Sequence, residues 1–189
     1  MMPDNDLRIV GVAGSLRKGS YNRALLRAAQ ELAPDGMTIT VAEIGNLPLY
    51  DADVEAAGVP APVAAFRQAI RQADALLIAT PEYNYSLPGV LKNAIDWASR
   101  PPADSALRQK PTAIMGASGG AFGTVRAQLA LRQSLQFTET QVMLKPEVLV
   151  AKAQDRFDAD GRLIDEPTRQ LLQRFLEALA AWTRRLQPV

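Results

Sequence analysis

At 189 residues and 48% hydrophobic content, the chain is long enough to bury one core of ordinary size, and the expectation is a single domain over residues 1–189. Its 21 Lys and Arg offset 20 Asp and Glu to a formal charge of +1, and neither sign gathers into a run, which excludes the basic footprint of a nucleic-acid binder or of a protein held to an acidic membrane. Cysteine and histidine are both absent, which excludes disulfides, thiolate and imidazole metal sites, thiol nucleophiles, a Ser-His-Asp triad and any imidazole base, so that the chemistry of an enzyme with this composition falls to a bound cofactor.

The start, MMPDNDLRIV, has no basic segment followed by an apolar stretch, and no apolar run approaches the roughly 20 residues of a membrane span. A cytoplasmic protein is expected. LRIVGVAG, Leu7 to Gly14, reads as a buried strand, and helical spacing of Ala24, Leu25, Ala28, Ala29 and Leu32 predicts a helix from about Ser20 to Ala33. MTITVAEI, Met37 to Ile44, alternates like a second strand. Gly45 to Pro62, rich in Pro and Gly, is expected as a long loop.

A helix over about Val63 to Gln72 leads to DALLIAT, Asp74 to Thr80, whose continuous apolar character suits a strand covered on both faces. Pro88 opens the next helix, on which Val90, Leu91, Ala94, Ile95, Trp97 and Ala98 form one apolar arc, with Lys92, Asp96 and Ser99 opposite. PTAIMGAS, Pro111 to Ser118, is a fourth strand. The helix after it, from about Gly123 to Leu135, is expected to bury Val125, Leu129 and Leu135. VMLKPEVLVA, Val142 to Ala151, is a fifth strand whose Pro146 demands a sheet edge or a bend. The last helix begins near Asp165 and Pro167 and buries Leu171, Leu172, Phe175, Leu176, Leu179, Trp182 and Leu186.

Strands alternating with helices call for a parallel sheet clothed on both faces, because parallel neighbours need right-handed crossovers. Three strand-to-helix loops carry unusual chemistry. In GSLRKGSYN, Gly14 to Asn22, the glycines have neither dinucleotide nor P-loop spacing, but Ser15, Ser20 and Asn22 offer donors, Arg17 can fork onto phosphate oxygens, and the helix start points its N–H groups the same way. That describes a monophosphate cradle, against a plainer reading in which Ser20 or Asn22 caps the helix and Arg17 is solvated. In PEYNYSLPG, Pro81 to Gly89, a kinked loop with Pro81, Glu82, Tyr83 and Asn84 could wall a flat heteroaromatic ring, or its tyrosines could pack on the core. In SGGAFG, Ser118 to Gly123, adjacent glycines let backbone approach a ligand closely. Of the two doubly wound orders, only 2-1-3-4-5 makes strands one, three and four neighbours, so the convergence of these loops favours it over 3-2-1-4-5-6.

With GSLRKGSYN, TPEYNYSLPGVLKNAIDW and GASGGAFGTVRAQLALRQSL in that order, and the match running on through KPEVLV to the terminal helix, the sequence resembles the NAD(P)H-dependent FMN reductase family, especially its bacterial chromate and quinone reductase branch. The resemblance implies an α/β, flavodoxin-like three-layer sandwich, its five-stranded parallel sheet ordered 2-1-3-4-5. It implies bound FMN, NADPH or NADH as co-substrate, and hydride transfer through the flavin to quinones, free flavin, azo compounds or chromate, with no catalytic side chain and no metal. Ser15, Arg17, Ser20 and Asn22 are then expected at the FMN phosphate, Pro81, Glu82, Tyr83 and Asn84 at the ring, and Ser118, Gly119 and Gly120 approaching from the next strand. The helix from Lys92 to Trp97 resembles a dimer contact, implying a homodimer or homotetramer, and Tyr83 is one candidate source of protons for the acceptor. Small-molecule acceptors are the expected partners. A flavodoxin-like electron carrier, docking on a protein partner, is the alternative, and the lack of an acidic face argues against it. DRFDADG, Asp155 to Gly161, fails calcium-loop spacing and reads as a turn.

Overall fold

The computed structural model describes residues 6–187. Its parallel sheet runs β2 (Met37–Val41), β1 (Leu7–Ala13), β3 (Ala75–Ala79), β4 (Pro111–Ala117), and two short strands, β5 (Gln141–Val142) and β6 (Val148–Val150), share the last position against β4. This is the 2-1-3-4-5 order of a flavodoxin-like fold. The expected fifth strand is divided around Pro146, which has no N–H for the ladder and sits at the sheet edge.

Alternate residues of each central strand enter different cores, because side chains leave a strand with a period of two. Leu7, Ile9, Leu77, Ala113 and Met115 face α1 (Tyr21–Glu31) and α6 (Glu166–Leu186). Val10, Val12, Leu76, Ile78 and Ile114 face α3 (Ala61–Gln72), α4 (Gly89–Ala98) and α5 (Val125–Phe137). Burial of both faces is why β3 is apolar at every position.

Helix starts follow local chemistry. The Ser20 hydroxyl accepts from the N–H groups of Asn22 and Arg23 at the start of α1, and Asp165 accepts from the Thr168 N–H at the start of α6. Pro88 is the residue before α4, one place earlier than expected. The stretch expected as loop from Gly45 to Pro62 contains a short helix, α2 (Ala52–Ala57), capped by Asp51. None of its residues is buried, so it carries no apolar period to be read. It is held by polar contacts instead: buried Arg67 reaches Glu55 at 3.1 Å, and Trp97 Nε1 donates to Pro48 O at 2.8 Å.

Two expectations about buried faces change. On α5 the core contacts are Ala127, Leu131 and Leu135, whereas Leu129 is 59% exposed and Val125 only half-buried, since the helix lies against the sheet one position round from the expected face. On α6, Leu172, Phe175, Leu176 and Leu179 are buried as expected, while Leu171, Trp182 and Leu186 lie at the margin. In the 155–161 segment, Asp158 Oδ1 accepts from the N–H groups of Asp160 and Arg162, which makes a tight turn of it. Among the described residues no helix is long and apolar enough to cross a membrane.

One small residue permits the close approach of α5 to the sheet. A Cβ at Gly116 would lie 1.9 Å from Thr124 Oγ1 and 2.5 Å from Thr80 O, and both threonines are fully buried. Gly116→Ala is therefore expected to lower the unfolding free energy by about 3 kcal/mol, at the upper end of ordinary overpacking costs. Urea titration checks this against Gly89→Ala, where the added methyl meets nothing within 4 Å and the change should stay within about 0.5 kcal/mol.

Candidate active site

The main-chain ladder continues past the strands and draws the three loops together. Gly14 N donates to Ala79 O at 2.8 Å, Thr80 N to Met115 O at 2.9 Å, and Ser118 N to Val150 O at 2.9 Å. The loops after β1, β3 and β4 consequently leave the carboxyl edge side by side. Gly14 is closely packed here, since a Cβ would lie 3.2 Å from the Pro81 ring and 3.1 Å from Leu91.

Between the loops is a cavity of about 350 Å³ lined by Ser15, Arg17, Ser20, Tyr21, Asn22, Pro81, Glu82, Tyr83, Ala117, Ser118 and Gly119. Nine of the eleven residues expected at a site share this lining. The other two, Asn84 and Gly120, line an adjoining cavity instead.

The first loop is rich in unengaged donors. The backbone N–H groups of Leu16, Lys18, Gly19 and Tyr21 have no acceptor among the described residues, and the Ser15 and Ser20 oxygens accept backbone bonds while their O–H groups stay available to donate. Arg17 is exposed, touching only Gly19 O at 2.9 Å. No acidic residue lies in the first turn of α1. Positive helix end, guanidinium and hydroxyls converge without an opposing carboxylate, the donor set that suits a phosphate. Ser20 both caps the helix and faces the cavity, so the two readings of that residue hold together.

Asn22, in the cavity lining as expected, also has a structural role. Its Nδ2 donates to Ala117 O at 2.8 Å and its Oδ1 accepts from Ala117 N at 2.9 Å, with the side chain buried. Engaged at both ends, the carboxamide keeps one Nδ2 N–H without an acceptor among the described residues. It ties α1 to the end of β4 and thereby fixes the spacing of the first and third loops.

Glu82 is likewise engaged within the protein. Its carboxylate accepts from Arg126 N at 3.0 Å, Ala127 N at 3.2 Å and Arg126 Nε at 2.6 Å, and Arg126 Nη2 closes the pair. The side chain is only 8% exposed. It caps the start of α5, where Thr124 makes no side-chain cap of its own, and so anchors the second loop to that helix. Arg126, to which sequence reasoning gives no role, completes the arrangement by stacking on Tyr85 at 3.7 Å.

The tip of this loop is a two-residue turn. Asn84 and Tyr85 have φ of 48° and 67°, and Tyr83 and Ser86 exchange both backbone hydrogen bonds at 3.0 Å. Left-handed backbone suits Asn but is costly for Tyr, by about 1–2 kcal/mol, and the stack on Arg126 offsets that cost. The turn presents Tyr83, 51% exposed, to the cavity.

In the third loop, Ser118 Oγ accepts from Gly120 N at 3.1 Å, and Ala153 N and Lys152 N donate to Ser118 O and Gly120 O at 3.0 Å. Gly123 has φ 57° and stands against the Leu149 backbone, where a Cβ would lie 3.0 Å away. The site thus gathers donors at the start of α1 and sets Pro81, Tyr83, Ser118 and Gly119 beside them, with Glu82 paired to Arg126.

The family model described as NADPH-dependent FMN reductase matches residues 7–155. An NAD(P)H-dependent FMN reductase of Pseudomonas aeruginosa is 56% identical over 183 residues, covering 97% of this chain and 98% of that protein. A quinone reductase of Pseudomonas putida is 49% identical, covering 92% of each. Among solved structures, the flavoenzyme NAD(P)H:(acceptor) oxidoreductase of Paracoccus denitrificans superposes with a TM-score of 0.88 at 37% identity, covering 95% of this chain and 98% of that one.

Glu82→Gln tests the anchor. Loss of the charge at a helix start and of the paired bonds to Arg126 should cost about 1–3 kcal/mol, and hydrogen exchange should quicken at the Tyr83 and Ser86 amides with little change in β1 and β3. Unchanged protection at those two amides would show that the turn stands without the anchor.

Proposed function

The chain belongs to the NADPH-dependent FMN reductase family, and we propose that it is an FMN-dependent NAD(P)H oxidoreductase whose principal acceptors are quinones, with free flavin, azo compounds and chromate as further substrates. The observation that carries this reading is the cavity in which three loops combine a phosphate-type donor set with Pro81, Tyr83 and a Ser-Gly turn. The volume, about 350 Å³, is of the size that small-ligand sites have.

The donor set fits the group the family implies. Ser15, Ser20, Arg17 and the free N–H groups around them would hold the FMN phosphate, with Asn22 setting their distance from the third loop. Pro81 and Tyr83 would flank the ring, Glu82 would hold their loop in place through Arg126, and Ser118 and Gly119 would approach from β4, with Asn84 and Gly120 on the far side of the same loops. When bound, FMN supplies hydride acceptance and donation, which no side chain of this composition can supply.

The protein's own part is to bind, orient and exclude. The acceptor's protons come from water or from the Tyr83 hydroxyl, which borders the cavity and is half exposed. A homodimer or homotetramer is proposed on the likeness of α4 to a dimer contact; its outer face carries the exposed Lys92–Asp96 ion pair.

Anaerobic addition of NADPH or NADH to the FMN-loaded protein is expected to bleach the flavin absorbance within the mixing time of a stopped-flow cell, and a quinone should restore it. Flavin that stays oxidised until a partner enzyme is supplied would make the protein an electron carrier. For the phosphate end, Arg17→Gln should weaken FMN binding about 10- to 100-fold, the value of one charge-assisted hydrogen bond, and leave riboflavin binding unchanged. Equal losses for both would remove Arg17 from the phosphate.

A further inference from the structure

Beside the proposed flavin cavity lies a second one, of about 360 Å³, which shares Glu82 and Ser118 with it and is otherwise lined by Asn84, Tyr85, Phe122, Arg126 and residues 120, 121 and 123. The reductase reading places no ligand there. Its chemistry is nonetheless specific. Arg126 binds Glu82 through Nε and Nη2, and of the five N–H groups of a guanidinium this leaves those of Nη1 and one of Nη2 without an acceptor among the described residues. The guanidinium carbon lies over two rings, 3.7 Å from the centre of Tyr85 and 5.2 Å from that of Phe122.

Both rings are largely open to water, at 73% and 66% exposure. Two solvent-facing aromatic faces around a cation with unused donors form a site for a ligand that is itself both aromatic and anionic. Quinones are flat but need bring no phosphate. The nicotinamide nucleotide carries its hydride at one end and, across a diphosphate link, a purine and further phosphate oxygens at the other. A donor whose nicotinamide enters the shared wall of Glu82 and Ser118 can lay that second end in the adjoining cavity.

We infer that this cavity is the subsite for the adenosine end of the nicotinamide nucleotide, with the free edge of Arg126 on a phosphate and Phe122 or Tyr85 against the adenine. The inference rests on the reductase reading and adds to it the residues that recognise the donor. It also gives Arg126 a second role: one edge anchors the ring-binding loop through Glu82, and the opposite edge receives the donor, so nucleotide occupancy reinforces the loop that walls the flavin.

The test uses the FMN-loaded protein and two donors, NADPH and reduced nicotinamide mononucleotide, which lacks the adenosine end. Phe122→Ala, at an exposed side chain, should raise the KM for NADPH about 10-fold, the value of one aromatic stacking contact or charge-assisted bond, and leave the KM for the mononucleotide unchanged. Tyr85→Ala, removing the other exposed ring, should raise the KM for NADPH further when combined with Phe122→Ala. Calorimetry with ADP alone, which needs no turnover, should show binding to the FMN-loaded protein that Phe122→Ala weakens by a similar factor, with FMN affinity measured alongside and unchanged. Equal KM changes for both donors, or ADP binding indifferent to Phe122→Ala, would overturn the subsite while the bleaching of unsubstituted protein leaves the reductase reading standing. Absence of bleaching with either donor would defeat that reading instead, and ADP binding would still report on the cavity.

Discussion

Everything at the site depends on the parallel hydrogen-bonded ladder running on beyond the last residues of the strands. Gly14, Thr80 and Ser118 each donate to the neighbouring strand or its continuation, so the three loops inherit the fixed separation of adjacent strands, roughly 4.8 Å in the hydrogen-bonding direction. Side chains alone would leave three flexible connections to find one another on every binding event. With the backbone paired, the cost of ordering them is met during folding rather than at ligand binding. The 2-1-3-4-5 order makes this arrangement work, because it sets β1, β3 and β4 in succession at the switch point.

Two polar pins then convert adjacency into a shaped cavity. Asn22 bridges both backbone groups of Ala117, 95 positions away, and Glu82 bridges the second loop to the start of α5, 44 positions away. Each is largely buried and hydrogen-bonded at both ends of its span, the condition under which a polar group inside a protein specifies geometry. Neither pin would tolerate loss of one partner: the opposite groups would be stranded in a place that water reaches poorly, at about 1–3 kcal/mol each. Gly116 serves the same end by subtraction, giving Thr124 the space in which α5 meets the sheet.

These pins mark the boundary of what the sequence discloses. Strand and helix identity was legible wherever burial is one-sided or complete: β3 as an unbroken apolar run, α4 as an arc from Val90 to Ala98, Ser20 and Asp165 as helix starts. The loops were legible as chemistry, because Ser, Arg and Gly in strand-to-helix turns have few structural reasons to gather. Their partners were not. The tie from Asn22 to β4 was not legible, because the groups it meets at Ala117 are main-chain atoms with no sequence signature. Arg126 carried no signal, since its meaning comes from Glu82 and Tyr85 across the fold. Leu129 was misplaced for a related reason: on a helix touching a sheet by a narrow stripe, a shift of one position exchanges a core leucine for a surface one.

The distribution of charge follows from the same geometry. Arg17 and the uncapped donors at α1 meet no carboxylate, so that end of the cavity keeps its positive potential for an anion. Glu82, the one acid in the lining, is held by Arg126 and by two helix-start N–H groups, so it neither repels a phosphate nor charges the flat region where a neutral ring would lie. On the proposed reading, a chain with no histidine and no cysteine serves redox chemistry by holding a charged tail and an uncharged ring in different parts of one cavity, each in the electrostatic environment it requires. Exchange of the two environments, with an unpaired acid near Ser20 or an unpaired Arg at the flat end, would leave the fold intact and oppose binding at both ends together.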